Sequence, residues 1–166
     1  MSITFSLDKP RDLLAKARRE QARLSDALGS RDRTSIADAL FNFAVTAYQL
    51  KDRLKQSPSA SYSPNQVDAY IDENRYLRLC REICNASKHQ KLTPAAKDAK
   101  DIALSATGTF IIASIDPNNV KLEAETSPPF GVKVVAFDGS RCEANEFAAQ
   151  AILAWEQFFA KWGLSQ

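Results

Sequence analysis

Arg78, Arg81, Asn85, Lys88 and His89 follow one another at intervals of three, four, three and one residues in the segment RYLRLCREICNASKH. If that segment is helical, at about 100° per residue the five side chains fall within an arc of about 100°. Leu77, Cys80, Ile83 and Cys84 then take the opposite side, so the polar residues make one continuous face. His89 is the only histidine of the chain. An imidazole exchanges a proton near neutral pH, and guanidinium groups beside it hold phosphate through paired hydrogen bonds. A base for a 2′-hydroxyl and cations for the charge that builds on phosphorus oxygens are the parts that metal-independent RNA cleavage requires. The same residues also have a plainer use. Lys88, His89 and Lys91 close a helix, where cations meet the negative end of its dipole for about 0.3–1 kcal/mol each, and Asn85 can satisfy a neighbouring backbone group.

Other chemistries find less material. Cys80, Cys84 and His89 lack the ligand spacing of a zinc knuckle, and a fourth ligand would have to come from distant Cys142. No metal or cofactor is therefore expected. Five glycines in 166 residues leave little for a phosphate-cradling loop; no nucleophile elbow is present, and a single histidine limits any triad. Three cysteines without a secretory signal in MSITFSLDKPRDLL fit free thiols and a cytoplasmic location. No run of about 18 apolar residues offers a membrane span.

These side chains must be held by elements that the pattern also outlines. Apolar residues make up 45% and charged residues 25% of the chain, ordinary globular proportions, and the length suits one domain over residues 1–166. A helical part is expected over about 8–92. Asp8 and Pro10 start a first helix, in which Leu14, Ala17, Gln21, Leu24 and Leu28 share one face and Arg18, Arg19 and Arg23 the other, with Gly29 as its stop. The second helix, about Thr34 to Lys55, is apolar over most of its circumference, the mark of a helix packed on several sides. After the loop SPSASYSPNQ, Ser63 and Gln66 form a capping box that opens a third helix from Pro64 to about Gln90, with a bend near Glu73 and Asn74.

From Asp101 the apolar period drops to two: Ile102, Leu104 and Ala106, then Phe110 and Ile112, then Val120, Leu122 and Ala124, then VKVVAF, with turns at Pro117-Asn118-Asn119 and Asp138-Gly139. An antiparallel meander of three or four strands over about 101–138 is the simplest arrangement. A closing helix over about 145–162 aligns Phe147, Ala151, Trp155, Phe158 and Trp162, an aromatic stripe that reads as core rather than as a cofactor box. The expected fold is thus α+β and mainly helical: three long N-terminal helices, a small antiparallel sheet and a C-terminal helix. Charge divides along the same line. Residues 1–100 carry 18 Lys+Arg against 12 Asp+Glu, and residues 101–166 carry 4 against 8, so phosphate would meet the helical part.

With these elements in place, the run Cys84-Asn85-Ala86-Ser87-Lys88-His89 resembles the motif of the HEPN superfamily, helical proteins that include many RNA-cleaving toxins and phage-defence effectors. Their motif is an arginine, often followed by asparagine, then a histidine after four to six intervening residues. The Asn-x-x-x-His part matches; Cys84 stands in the arginine's place, and Arg81 lies one turn earlier with seven residues between it and His89, outside the usual spacing. The likeness covers about residues 10–92. The chain is also similar to bacterial proteins, some carried by phages or mobile elements, that share a Y-x-L-K-D helix, here Tyr48 to Asp52, an N-x-x-K-H helix, here Asn85 to His89, and a final helix with tryptophan, here Trp155.

The HEPN resemblance implies an RNA-binding or metal-independent RNA-cleaving protein of defence or toxin type. His89 would be the base, with Arg81 and Asn85 also in the catalytic set and Arg78 and Lys88 in binding. It also implies a homodimer with two such helices facing one cleft, and an antidote or regulatory protein as a further partner. The alternative is a non-catalytic interaction or regulatory protein that keeps the helical fold, and Cys84 in the arginine's place is the residue that argues for it.

Overall fold

The structure, a computed structural model, describes residues 7, 9–57, 61–88, 109–116, 120–125, 132–135 and 140–164. It is a mainly helical α+β fold with an antiparallel sheet, as the sequence patterns require. The elements are α1 (Pro10–Ser30), α2 (Arg33–Lys55), α3 (Pro64–Glu73), α4 (Arg75–Lys88), β1 (Thr109–Asp116), β2 (Val120–Glu125), β3 (Val132–Val135), β4 (Arg141–Glu143) and α5 (Ala144–Lys161).

α1 begins at Pro10, whose missing N–H falls where no intrahelical partner exists, and the Asp12 carboxylate accepts from the Lys9 N–H at 3.1 Å. Asp8 lies outside the described residues. The helix does not stop at Gly29. It runs to Ser30, and the left-handed residue that ends it is Arg31, at φ 60°. One residue on, Asp32 caps α2 by accepting from the Ser35 N–H at 2.8 Å.

α2 is the central helix. Ile36, Leu40, Phe43, Ala44, Ala47, Leu50 and Leu54 have no exposed surface, and the helix touches all four of the others. A helix buried on several sides needs apolar residues all round, which is the pattern of IADALFNFAVTAYQL. Each fully buried Leu, Ile or Phe contributes about 1.5–3 kcal/mol of transfer free energy.

The expected third helix is two. Ser63 and Gln66 make the capping box of α3: the Ser63 N–H donates to Gln66 Oε1 at 2.7 Å, and the Gln66 N–H to Ser63 Oγ at 3.4 Å. At Asn74 the backbone turns extended (φ −103°, ψ 116°). The N–H of Asn74 closes α3 on Tyr70 and Ile71, while its side-chain Oδ1 accepts from the N–H groups of Tyr76 at 3.0 Å and Leu77 at 3.1 Å. One asparagine therefore ends one helix and caps the next. The bend is a full break, because the side chain supplies the acceptor that a continuous ladder would have supplied.

The sheet is antiparallel in the order β1-β2-β3-β4. The β1–β2 register shifts between Ile111 and Ala113 and again between Ser114 and Asp116, the signature of bulges that bend a strand. β4 was not among the expected strands: with three residues it is too short to show a period. It pairs with β3, setting Val134 opposite Cys142 and Lys133 opposite Glu143. Val132, Val134 and Cys142 are buried, and Lys133 and Glu143 lie 3.9 Å apart on the outer side. Ile102, Leu104 and Ala106, the Pro117-Asn118-Asn119 turn and Asp138-Gly139 lie outside the described residues.

α5 closes the core. Phe147, Ala151, Trp155 and Phe158 are buried and Trp162 is half-buried; Gly163, at φ 66°, ends the chain's helical course. Phe147 meets Phe43 edge-on at 5.7 Å, and the Trp155 indole N–H donates to the Ala47 carbonyl at 2.9 Å. The aromatic stripe is core.

Candidate nucleic-acid interface on α4

The polar face of α4 takes its position from the apolar one. Leu77, Leu79, Cys80, Ile83 and Cys84 are buried, which fixes the rotation of the helix and turns Arg78, Arg81 and Asn85 outward. Asn85 is exposed, and Arg78 and Arg81 are half-buried. α4 stays helical through Lys88, although its description there is of the backbone; His89 lies outside the described residues. Of the five expected site residues, the structure thus brings Arg78, Arg81 and Asn85 to one face.

Two residues change the character of that face. Glu82, also half-buried, sits about 20° beyond the arc that the five polar residues define, so the stripe is edged by a carboxylate. The second is Asp72. Arg81 Nη1 reaches Asp72 Oδ1 at 2.5 Å, and Arg78 Nη1 donates to the Asp72 backbone carbonyl. In an unbroken helix Asp72 and Arg81 would lie about 13.5 Å apart along the axis and on opposite sides. The break at Asn74 swings them together. Asp72 is in the last turn of α3, where carbonyl groups lack helical partners, so Arg78 satisfies one of these and both cations sit at the negative end of the α3 dipole.

Cys84, in the place where the resembling motif has arginine, is 5% exposed. The helix phase that presents Asn85 to solvent sends its neighbour into the core. An arginine there would carry its charge into an apolar region at a desolvation cost. Cys80 is fully buried on the same side, and burial pushes its thiol far above the ordinary range. None of Cys80, Cys84 and Cys142 is in a disulfide.

Elsewhere, polar groups brace helices. Glu20 is buried between α1 and α2, with Arg23 at 2.8 Å and Lys16 at 3.6 Å; Lys16 Nζ also donates to the buried Thr46 hydroxyl at 2.8 Å. Arg18 reaches across to Glu156 of α5 at 2.8 Å. Among the described residues no group of three or more His, Cys, Asp or Glu side chains is placed to hold a metal ion, and no described helix is long and apolar enough to cross a membrane.

Sequence periodicity puts Arg78, Arg81 and Asn85 on the outer face, where the structure has them, but leaves out Asp72 and Glu82. Glu82 was readable from its angle. Asp72 was not, since its role depends on the break. Comparison with known proteins adds no relative: no family model, curated protein or solved structure matches the chain.

Proposed function

We propose that the protein binds single-stranded RNA through the outer face of α4. The observation that carries this reading is the division of α4 itself: its apolar side, Cys84 included, is used up by the core, while Arg78, Arg81 and Asn85 remain on the solvent side of one rigid helix. The arginines' hold on Asp72 does not remove them from play. Arg81 and Asp72 side chains are 33% and 59% exposed, and such surface pairs contribute about 0–1 kcal/mol. A phosphate offers the same guanidinium a charge-assisted, paired contact.

The resemblance to the HEPN superfamily extends this reading to Lys88 as a further phosphate contact, to a homodimer that sets two α4 faces across one cleft, and to a role of defence or toxin type. Cleavage would add one reaction, in which His89 takes the proton of a 2′-hydroxyl that attacks the adjoining phosphorus, giving a 2′,3′-cyclic phosphate as the P–O5′ bond breaks and the departing 5′ oxygen takes a proton from water. A second reading, a non-catalytic interaction or regulatory protein, is favoured by the burial of Cys84, which leaves no arginine next to Asn85.

Binding of a labelled single-stranded RNA at low salt, with cleavage followed on the same RNA, separates these outcomes. Arg78→Ala with Arg81→Ala should weaken binding and flatten its salt dependence, since fewer counterions are released. His89→Ala should abolish any cleavage and leave affinity largely intact; cleavage should survive chelators. A parent protein that neither binds nor cuts RNA overturns the RNA reading and leaves the interaction protein.

A further inference from the structure

We propose that Asp72 is a built-in competitor for the α4 face, its carboxylate occupying Arg81 until a polyanion displaces it. The inference rests on the RNA reading above and adds its regulation. One residue engages both arginines: the Asp72 carboxylate takes Arg81, and its backbone carbonyl takes Arg78. One Nη1 group of each arginine is therefore already in use in the free protein.

The placement of Asp72 is not explained by the stability of its own helix. An acidic side chain in the last turn faces the negative end of the dipole, where cations are preferred. Asp72 and Glu73 both stand there, at the end of α3. The break at Asn74 is what makes the position useful, because it delivers the end of α3 to the side of α4 that carries Arg78 and Arg81. The contact is also built to yield. It is partly exposed, so salt screens it, and its two attachments are of different kinds: replacing the carboxylate releases Arg81 and leaves the carbonyl that holds Arg78 and keeps the helix junction closed. A ligand with several phosphates competes well against a single carboxylate, whereas an isolated anion must displace it one for one. The face is thereby tuned toward polyanions.

The test is RNA affinity of the full chain, measured by fluorescence anisotropy with a short labelled single-stranded RNA at low salt. Asp72→Asn should bind about two- to fivefold more tightly than the parent, the range that loss of a surface ion pair allows. Glu73→Gln makes the same change of charge at the neighbouring exposed position and should give a smaller gain. In an Arg81→Gln background, Asp72→Asn should give no gain beyond that of Glu73→Gln. Equal gains for Asp72→Asn and Glu73→Gln, or a gain that persists without Arg81, would overturn the competitor while RNA binding by the parent stands. Absence of binding by the parent and by every variant overturns the RNA reading and the competitor with it.

Discussion

Replacing Trp155 by alanine removes the largest side chain of the core from the point where the closing helix meets the central one. Trp155 has no exposed surface, its ring lies 5.9 Å from that of Phe158 and 6.3 Å from that of Tyr70, and its indole N–H donates to the Ala47 carbonyl at 2.9 Å. Removing a buried aromatic costs about 3–5 kcal/mol, through lost transfer energy and the cavity left behind. For a chain of this length each kcal/mol lowers the melting temperature by about 2–4 °C, so the expected drop is about 6–20 °C. Thermal unfolding followed by far-ultraviolet circular dichroism measures it. Trp155→Phe, which keeps most of the ring and loses only the indole donor and part of the volume, should fall between the two. Leu153→Ala on the same helix, 43% exposed, should change stability by less than about 0.5 kcal/mol. A Trp155→Ala protein that melts within about 2 °C of the parent would mean that α5 is not docked on α2, and the account of the core would fail.

Ser63→Ala should lower stability by about 1 kcal/mol in urea titration, because one half of the α3 capping box is lost. The hydrogen bonds from Ser35 hold the Asp32 carboxyl below its ordinary value; its contribution is therefore complete above about pH 4, where the unfolded carboxyl is ionised, and declines as pH falls through the lowered folded value. The melting-temperature gap between parent and Asp32→Ala should accordingly be widest near neutrality and shrink in acid. Cys80, Cys84 and Cys142, buried and in no disulfide, should react with a thiol reagent only slowly until denaturant is added and then as three equivalents; a mass that reveals an intrachain disulfide in unoxidised protein would contradict this. Cys84→Arg restores the motif residue of the resembling family but buries its charge, and should lose about 3–5 kcal/mol in urea titration rather than gain cleavage.

What was legible in the sequence follows from which signals are local. The α2 core pattern, the Ser63–Gln66 capping box and the aromatic face of α5 each lie within one element, and a helix of known period places them directly. The outward face of α4 was legible for the same reason. Arg31 was not: the residue that carries the left-handed turn was expected to be Gly29, but Asp32 caps α2 and the preceding residue takes the strain. β4 escaped because Cys142 is buried by its pairing with Val134, a tertiary fact. Asn74 did leave a trace, an asparagine directly before a new apolar repeat, which is an N-cap signal inside what otherwise reads as one helix. Missing it concealed Asp72, since the meeting of residues 72 and 81 exists only once the helix is cut.

The order of assembly along the chain carries a consequence for synthesis. α5 leaves a ribosome after the other described helices, yet it and its C-cap supply partners to residues made long before: Glu156 for Arg18, Trp155 for Ala47, the Ala154 carbonyl for the Tyr70 hydroxyl and the Trp162 carbonyl for Ser61. Until it emerges, Phe43 lacks the Phe147 ring and the Ala47 carbonyl lacks the Trp155 indole. A nascent chain arrested before residue 144 would leave those core partners unmade, which makes it a target for chaperones and a source of aggregation when translation stalls. The same arrangement favours reconstitution from two pieces: a chain ending near residue 140 and a separate α5 peptide have matching apolar faces and pre-set partners. Their association would report directly on how strongly the closing helix is held.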